Sequence, residues 1–220
     1  MTNNTNRQSS IVNRQSSRLR LAVLLSGSGT TLENLLQKRQ AGELAADVAV
    51  VVSSRAEAFG LERARKHNIP ALSVPRRGHN GIEDFSKAIF EALIPYKPEL
   101  VCLAGFMSLL KLPPSFTQRV VNVHPALLPS FGGKGFYGHK VHEAVLKYGC
   151  KVSGCTVHFV DNQYDHGPII AQQAVPVLPG DTAESLAARV QEAERELYPR
   201  AIQLYAKGRL KIEGQVVKVL

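Results

Sequence analysis

From Leu19 onward, short apolar runs alternate with longer segments of helical periodicity, and this alternation constrains the fold more than any other feature of the sequence. The apolar runs are LRLAVLLS, DVAVVVSS, IPALSVP, ELVCLAGF and RVVNVH. Continuous apolar runs of this length are typical of strands that are covered on both faces. Segments between them, such as GIEDFSKAIFEALIPY, place apolar residues on one side of a helix. The pattern therefore predicts βαβ units and a parallel sheet.

The C-terminal part of the chain follows a different pattern. After a glycine-rich loop, the sequence predicts a helix over HKVHEAVLKYG, and then two longer strands, CKVSGCTVHFV and PIIAQQAVPV. A long helix follows, which we expect to break or bend at Pro199, and a terminal hairpin that turns at Glu213 and Gly214. We predict an α/β fold with a Rossmann-like, mostly parallel twisted sheet, flanking helices and a mixed C-terminal part. Residues 19–220 form one domain, and residues 1–18 a disordered polar tail.

Composition excludes few classes of function. No apolar run approaches the roughly 20 residues of a membrane helix, so we expect no membrane association. The first 20 residues carry four arginines and no acid, which leaves about +5 of the net charge of +9 for the rest. That modest excess does not require a nucleic-acid partner. The cysteines Cys102, Cys150 and Cys155 have no metal-ligand spacing, and their odd number predicts a reducing cytoplasm.

The first candidate site is the turn SGSGTT, from Ser26 to Thr31, between the first strand and the first helix. Glycines let the backbone approach a ligand, and a helix N-terminus offers free N–H groups to an anion. Gly29, Thr30 and Thr31 are therefore candidates for binding a phosphate group. The spacing is not that of a P-loop, so a nucleoside triphosphate fits badly. A tight turn with a Ser/Thr helix cap is the alternative interpretation.

The second candidate site lies at the end of the strand RVVNVH, where Asn122 and His124 point to the same side. An amide and an imidazolium together stabilise an oxyanion, as acyl transfer requires. The alternative is a pair that satisfies buried backbone groups. The loop PALLPSFGGKGFYG follows, and it is long and glycine-rich enough to close over a site.

The third candidate site is the turn DNQYDHGP, which contains Asp161 and Asp165. A carboxylate near an imidazole favours the charged imidazole and can relay a proton, although such acids are more often solvated turn residues. We interpret His158 as a hydrogen-bonded core residue. The remaining histidines have no coherent ligand spacing, so we expect no metal.

At these residues the chain resembles the phosphoribosylglycinamide formyltransferases (glycinamide ribonucleotide transformylases), from about Leu19 to Ile212. The matching segments are VLLSGSGTTLENLL, SSRAEAFGLERARKHNI, ELVCLAGFMSLL, NVHPALLPSFGGKG, GCTVHFVDNQYDHGPIIAQ and AARVQEAERELYP. The resemblance implies the formyltransferase fold and the transfer of a formyl group from 10-formyltetrahydrofolate to the amine of glycinamide ribonucleotide, in purine biosynthesis. It implies no other partner, and leaves open whether the protein is a monomer or a homodimer.

The resemblance also implies roles for individual residues. Asn122, His124 and Asp165 match the catalytic set of the family. Gly29, Thr30 and Thr31 match its phosphate loop, and Gln191 and Glu194 match the residues that hold the ribose and glycinamide end. The implied folate contacts come from Met107, Ser108, Leu109, Leu110, Asn122 and Asp161. Core packing is the alternative interpretation of the Met107–Leu110 run.

Two departures from the family and three alternatives remain. Ser108 stands where the family often has an arginine, and the loop GGKGFYGH is a few residues longer than in the shorter members. A formyltransferase that acts on methionyl-tRNA is expected to carry a further C-terminal domain, and a formyltetrahydrofolate hydrolase an N-terminal regulatory one. A non-catalytic phosphate-binding module would explain SGSGTT but not the set of Asn122, His124 and Asp165.

Overall fold

The computed structural model describes residues 18–220, so the predicted tail of residues 1–18 lies outside the described residues except for Arg18. The strands are β1 Leu19–Leu25, β2 Ala46–Ser53, β3 Ala71–Ser73, β4 Leu100–Leu103, β5 Val120–His124, β6 Val152–Phe159, β7 Ile169–Pro176, β8 Leu210–Glu213 and β9 Val216–Val219. The helices are α1 Thr30–Gln40, α2 Phe59–Lys66, α3 Gly81–Leu93, α4 His139–Tyr148 and α5 Ala183–Ala206.

All nine strands form one sheet, in the order β3-β2-β1-β4-β5-β6-β7-β9-β8. Strands β3, β2, β1, β4 and β5 are parallel, whereas β6 runs antiparallel to both β5 and β7. The predicted α/β fold with a mostly parallel sheet and a mixed C-terminal part is thereby confirmed. Because β1, β4 and β5 are neighbours, the segments that follow these three strands meet at one edge of the sheet.

The sheet separates two hydrophobic clusters, which explains why the strands read as continuous apolar runs. In β1, Leu21, Val23 and Leu25 belong to the larger cluster, with residues of α1, α2, α4 and α5. The intervening residues Ala22 and Leu24 belong to the smaller cluster, with α3. Successive side chains of a strand point to opposite faces, so a strand covered on both faces is apolar throughout.

The long helix is not broken at Pro199, because α5 runs continuously from Ala183 to Ala206. The expectation of a break needs correction, and the expected bend stays a prediction. The N-terminus of α5 is fixed by a capping box between Thr182 and Ser185. Pro199 is buried in the helix interior, where packing against the sheet stabilises the helical conformation that proline alone disfavours. Within residues 18–220, no helix is both long and apolar enough to cross a membrane.

Candidate active site

Three loops converge at the carboxyl ends of β1, β4 and β5. The backbone N–H of Ser26, just after β1, donates to the carbonyl of Gly105 at 3.1 Å. The Oγ of Ser26 accepts a hydrogen bond from the N–H of Met107 at 3.0 Å and lies 2.6 Å from the Oγ of Ser54. These contacts fix the SGSGTT turn against the loop that follows β4.

At the SGSGTT turn, α1 begins without a side-chain cap. Gly29 is the N-cap of α1, with φ of 74°, and no side chain caps the helix there. The alternative of a Ser/Thr cap is therefore wrong, and the first N–H groups of α1 have no side-chain acceptor. A Cβ on Gly29 would lie 2.6 Å from the Cα of Gly60 in α2, so close packing as well as φ requires glycine.

Helix α5 brings the two other predicted ribonucleotide residues to this turn. Gln191 and Glu194 lie three residues apart on one face of α5 and line a small pocket together with Thr30 and Thr31. Burial raises the pKa of the Glu194 carboxyl to about 7. The carboxylate of Glu194 therefore gains stability from any cationic or hydrogen-bond-donating ligand that enters the pocket.

A cavity of about 390 Å³ lies beside the second and third candidate sites. Its walls include Asn122, His124 and Asp165, and the whole Met107–Leu110 run. Met107 is exposed, whereas Leu110 belongs to the smaller hydrophobic cluster, so this run both lines the cavity and packs in the core. The structure thus brings together the predicted catalytic residues and the predicted folate residues except Asp161.

Asp161 does not line the cavity. Its Oδ1 accepts the N–H of Gln163 at 2.7 Å, and its Oδ2 lies 2.6 Å from Nδ1 of His166. These contacts are those of an Asx turn, the alternative interpretation for acids in this segment. The carboxylate of Asp161 stabilises the turn that carries Asp165.

Asn122 is oriented by the histidine opposite it in the sheet. The antiparallel register of β5 and β6 pairs Asn122 with His158. His158 is buried, and its Nδ1–H donates to the carbonyl oxygen of the next residue, Phe159, at 2.8 Å. The Nε2 atom is then an acceptor, and the Nδ2 of Asn122 lies 3.3 Å from it. Burial lowers the pKa of His158, which keeps this acceptor neutral. One N–H of the Asn122 amide remains for a ligand.

His124 is held between a loop carbonyl and a carboxylate. Its Nε2 lies 2.8 Å from the carbonyl oxygen of Phe131, and its Nδ1 lies 3.5 Å from Oδ1 of Asp165. The side chains of His124 and Asp165 are 4% and 12% exposed, so solvent screens their interaction little. Both ring nitrogens of His124 therefore lie opposite acceptor oxygens.

Asp165 also connects two loops. Its Oδ2 accepts the N–H of Gly133 at 2.9 Å, which ties the glycine-rich loop to the β6–β7 turn. Its φ is 51°, in the left-handed region that aspartate adopts more readily than most residues. Within residues 18–220, no group of three or more His, Cys, Asp and Glu side chains is placed to hold a metal ion.

Comparison with known proteins places the chain in a family. The sequence profile of the family described as formyl transferase matches residues 19–202. The chain belongs to the formyl transferase family. Among solved structures, glycinamide ribonucleotide transformylase 1 from Symbiobacterium toebii is 45% identical, with a TM-score of 0.86 over 94% of this chain and 96% of that one.

Two curated relatives of this formyl transferase differ in length. The phosphoribosylglycinamide formyltransferase of Haemophilus influenzae is 35% identical over 90% of this chain and 92% of its own length. The trifunctional purine biosynthetic protein adenosine-3 of Gallus gallus is 40% identical over 93% of this chain, which spans only 20% of that protein. The family resemblance in the sequence is thereby confirmed.

The sequence did not point to two residues, Thr156 and Tyr198, whose hydroxyls hold backbone groups next to the candidate site. Thr156, opposite His124 in the sheet, donates from Oγ1 to the carbonyl of Ala126 and accepts the N–H of Leu128. The hydroxyl of Tyr198 lies 3.0 Å from the carbonyl oxygen of Leu103 and 3.1 Å from that of Val121. A threonine in an apolar strand and a tyrosine in a helix carry no local signal, since their partners are distant in the chain.

Proposed function

We propose that this protein transfers the formyl group of 10-formyltetrahydrofolate to the amine of glycinamide ribonucleotide, which yields formylglycinamide ribonucleotide and tetrahydrofolate. One observation carries the proposal: Asn122, His124 and Asp165 form one wall of the cavity that Met107–Leu110 also lines. The contact of Ser26 with Met107 joins this cavity's loop to the SGSGTT turn. A phosphate site, a catalytic set and an apolar cavity thus follow one another along the sheet edge.

The ribonucleotide is proposed to bind across the SGSGTT turn and α5. Its phosphate accepts hydrogen bonds from the uncapped N–H groups at the start of α1 and from the hydroxyls of Thr30 and Thr31. Gln191 and Glu194, on the opposite wall of the pocket, hold the ribose and the glycinamide end. The ionised carboxylate of Glu194 accepts from hydroxyl and amine donors there.

The folate is proposed to occupy the cavity of about 390 Å³, whose volume suits a small-molecule ligand. Leu109 and Leu110 offer apolar contacts to its ring system, and Ser108 lies in the same wall. Lys134, in the glycine-rich loop, is the one lysine or arginine among the described residues that line this cavity. Asp161 is proposed to contribute through the turn that it holds.

In the proposed reaction, the glycinamide amine attacks the formyl carbon, and negative charge develops on the formyl oxygen. The free N–H of Asn122 donates to that oxygen. The positive charge of the proposed His124 imidazolium, whose ring nitrogens face Phe131 and Asp165, stabilises the oxygen through space. Asp165 stabilises the imidazolium and accepts the proton that the amine loses. The bond from the formyl carbon to the folate nitrogen breaks, and that nitrogen takes up one proton. The formyl group has then moved from the folate to the amine, and in exchange the amine has lost one proton and the folate nitrogen has gained one.

The test uses purified protein with glycinamide ribonucleotide and 10-formyltetrahydrofolate. We expect formylglycinamide ribonucleotide and tetrahydrofolate in equal amounts. Release of formate without use of the ribonucleotide would instead support a hydrolase. Binding of the ribonucleotide without turnover would support a phosphate-binding module.

We further propose that the protein acts in a reducing cytoplasm, as a monomer or a homodimer, on these small molecules without nucleic acid. Cys102, Cys150 and Cys155 are free thiols, and burial raises the pKa of the Cys102 and Cys155 thiols to about 12. Such thiols are unreactive, as a structural role requires. Sedimentation velocity at micromolar concentration distinguishes monomer from dimer.

A further inference from the structure

Pro199 creates an unusual acceptor in the middle of α5. Proline has no N–H, so the carbonyl of Arg195, four residues earlier, receives no hydrogen bond from within the helix. The helix nevertheless continues to Ala206. A freed helix carbonyl can accept a hydrogen bond from water or from a donor elsewhere in the protein.

The donor comes from α1. The Nδ2 of Asn34 lies 2.9 Å from the carbonyl oxygen of Arg195, so a side-chain amide takes the place of the missing backbone N–H. Asn34 is one helical turn from Thr30 and Thr31, and Arg195 directly follows Glu194 in the chain. Asn34 and Arg195 line the same pocket as these residues.

We propose that Asn34 is a positioning residue that fixes the phosphate turn at a set distance from the ribose-binding face of α5. This inference rests on the proposed function, in which one ribonucleotide spans both walls of the pocket. Neither wall binds the whole substrate, so their separation determines how well both ends are held at once. Pro199 makes the contact specific, since it leaves one carbonyl of the helix without an internal partner.

Other contacts between α1 and α5 lie farther from the pocket. Lys38 forms an exposed ion pair with Glu196 at 2.9 Å, one turn beyond Asn34. Beyond the end of α1, in the segment before β2, the N–H of Ala45 donates to the side chain of Gln203 in α5 at 2.8 Å. These contacts help to dock the helices, but only the Asn34 contact joins residues of the pocket itself. Lys38→Met is therefore the matched control, because it removes a contact between the same two helices outside the pocket.

The experiment compares Asn34→Ala, Pro199→Ala, the double variant and Lys38→Met with the wild-type protein. Asn34→Ala should raise the KM for glycinamide ribonucleotide about three- to tenfold, the loss expected for one hydrogen bond. The KM for 10-formyltetrahydrofolate and kcat should stay within about twofold of wild type, because Asn122, His124 and Asp165 line the other cavity. In Pro199→Ala, the N–H of the new alanine donates to Arg195. Adding Asn34→Ala to that background should then change the ribonucleotide KM by less than about twofold.

Three outcomes would overturn the inference. The first is an unchanged ribonucleotide KM in Asn34→Ala, and the second is an equal rise in Lys38→Met. The third is an effect of Asn34→Ala that persists undiminished in the Pro199→Ala background, since Asn34 would then contact the substrate directly. Thermal unfolding of each variant shows whether a KM change reflects loss of fold. If the wild-type protein turns over normally and any of these three outcomes is found, the inference is wrong and the proposed function stands. If the wild-type protein does not bind the ribonucleotide in calorimetry, both the inference and the proposed function are wrong.

Discussion

Two glycine-rich turns lie along the same edge of the sheet, and their glycines serve different purposes. In the SGSGTT turn, Gly29 packs against Gly60 so closely that a Cβ would lie 2.6 Å from the Cα of Gly60. In the loop from Phe131 to Gly138, Gly133, Gly135 and Gly138 have positive φ, yet a Cβ on any of them would meet nothing within 4 Å. Gly29 is therefore required by packing, whereas Gly133, Gly135 and Gly138 serve the backbone conformation. At the start of the second loop, Gly132 is also close-packed, since a Cβ there would lie 2.5 Å from Cδ2 of Leu128.

This difference indicates how each turn contributes to the site. The SGSGTT turn is fixed between α1 and α2, with Gly60 also donating its N–H to the carbonyl of Gly27 at 3.0 Å. The turn is therefore preformed, so under the proposed function it would lose little entropy when the ribonucleotide binds. The second loop is anchored at fewer points, notably the bond from Gly133 to Asp165. Its open glycines allow it to change conformation at low cost.

The largest expected effect concerns the anchor of the second loop. Asp165→Asn keeps the size of the side chain and removes the negative charge that faces His124. We expect kcat to fall by about 10²–10⁴-fold, the usual cost of losing general acid–base help. The dissociation constant of glycinamide ribonucleotide, measured by calorimetry, should stay within about twofold, because the SGSGTT turn is untouched. A kcat within tenfold of wild type would contradict the role assigned to Asp165.

The contrast between the two turns is itself testable with a matched pair, Gly29→Ala and Gly135→Ala. Both positions have positive φ, but only Gly29 also faces a steric clash. Gly29→Ala should lower the free energy of unfolding by about 2–4 kcal/mol and weaken ribonucleotide binding. Gly135→Ala should lower it by only about 1 kcal/mol. Urea unfolding measures both values, and equal losses would show that packing at Gly29 contributes nothing beyond φ.

A further prediction concerns Glu194, whose folded pKa of about 7 lies above its ordinary value of 4.5. The unfolded chain therefore loses its proton first as pH rises, so this group lowers stability progressively between about pH 4.5 and 7. Glu194→Gln removes that penalty. The variant should be more stable than wild type by about 1–3 kcal/mol at pH 8 and nearly equal to it near pH 4. Thermal unfolding over this pH range measures the difference.

The same group should give ribonucleotide binding a pH dependence. Ionised Glu194 is the form that accepts hydrogen bonds, so binding should strengthen as pH rises through about 7. The phosphate of the ligand also titrates, near pH 6, and it does so in the assays of wild type and of Glu194→Gln alike. The ratio of the wild-type and Glu194→Gln affinities therefore isolates the carboxylate of Glu194. A ratio that is constant from pH 5 to 8 would show that Glu194 does not contact the ligand.

The parallel half of the fold was predictable because its signals are local. An apolar run such as VLLS, followed by a glycine turn and a periodic segment, predicts a strand, a turn and a helix from a few adjacent residues. The candidate positions Asn122 and His124 followed from the same reasoning, since a strand end fixes which side they face. The break expected at Pro199 does not occur, because a local rule for proline ignores the burial that stabilises α5 around it.

The sequence by itself determined the order of strands and helices, the edge of the sheet where a site forms, and the family. Only the tertiary structure decided which distant side chains meet. It placed His158 against Asn122, and it brought Asp165, which the family resemblance had already implied, to 3.5 Å from His124. It also paired Asn34 with the carbonyl that Pro199 leaves free. Hydrophobic periodicity depends on neighbours in the chain and is readable in sequence, whereas a hydrogen bond across 161 residues depends on the register and packing of the whole sheet.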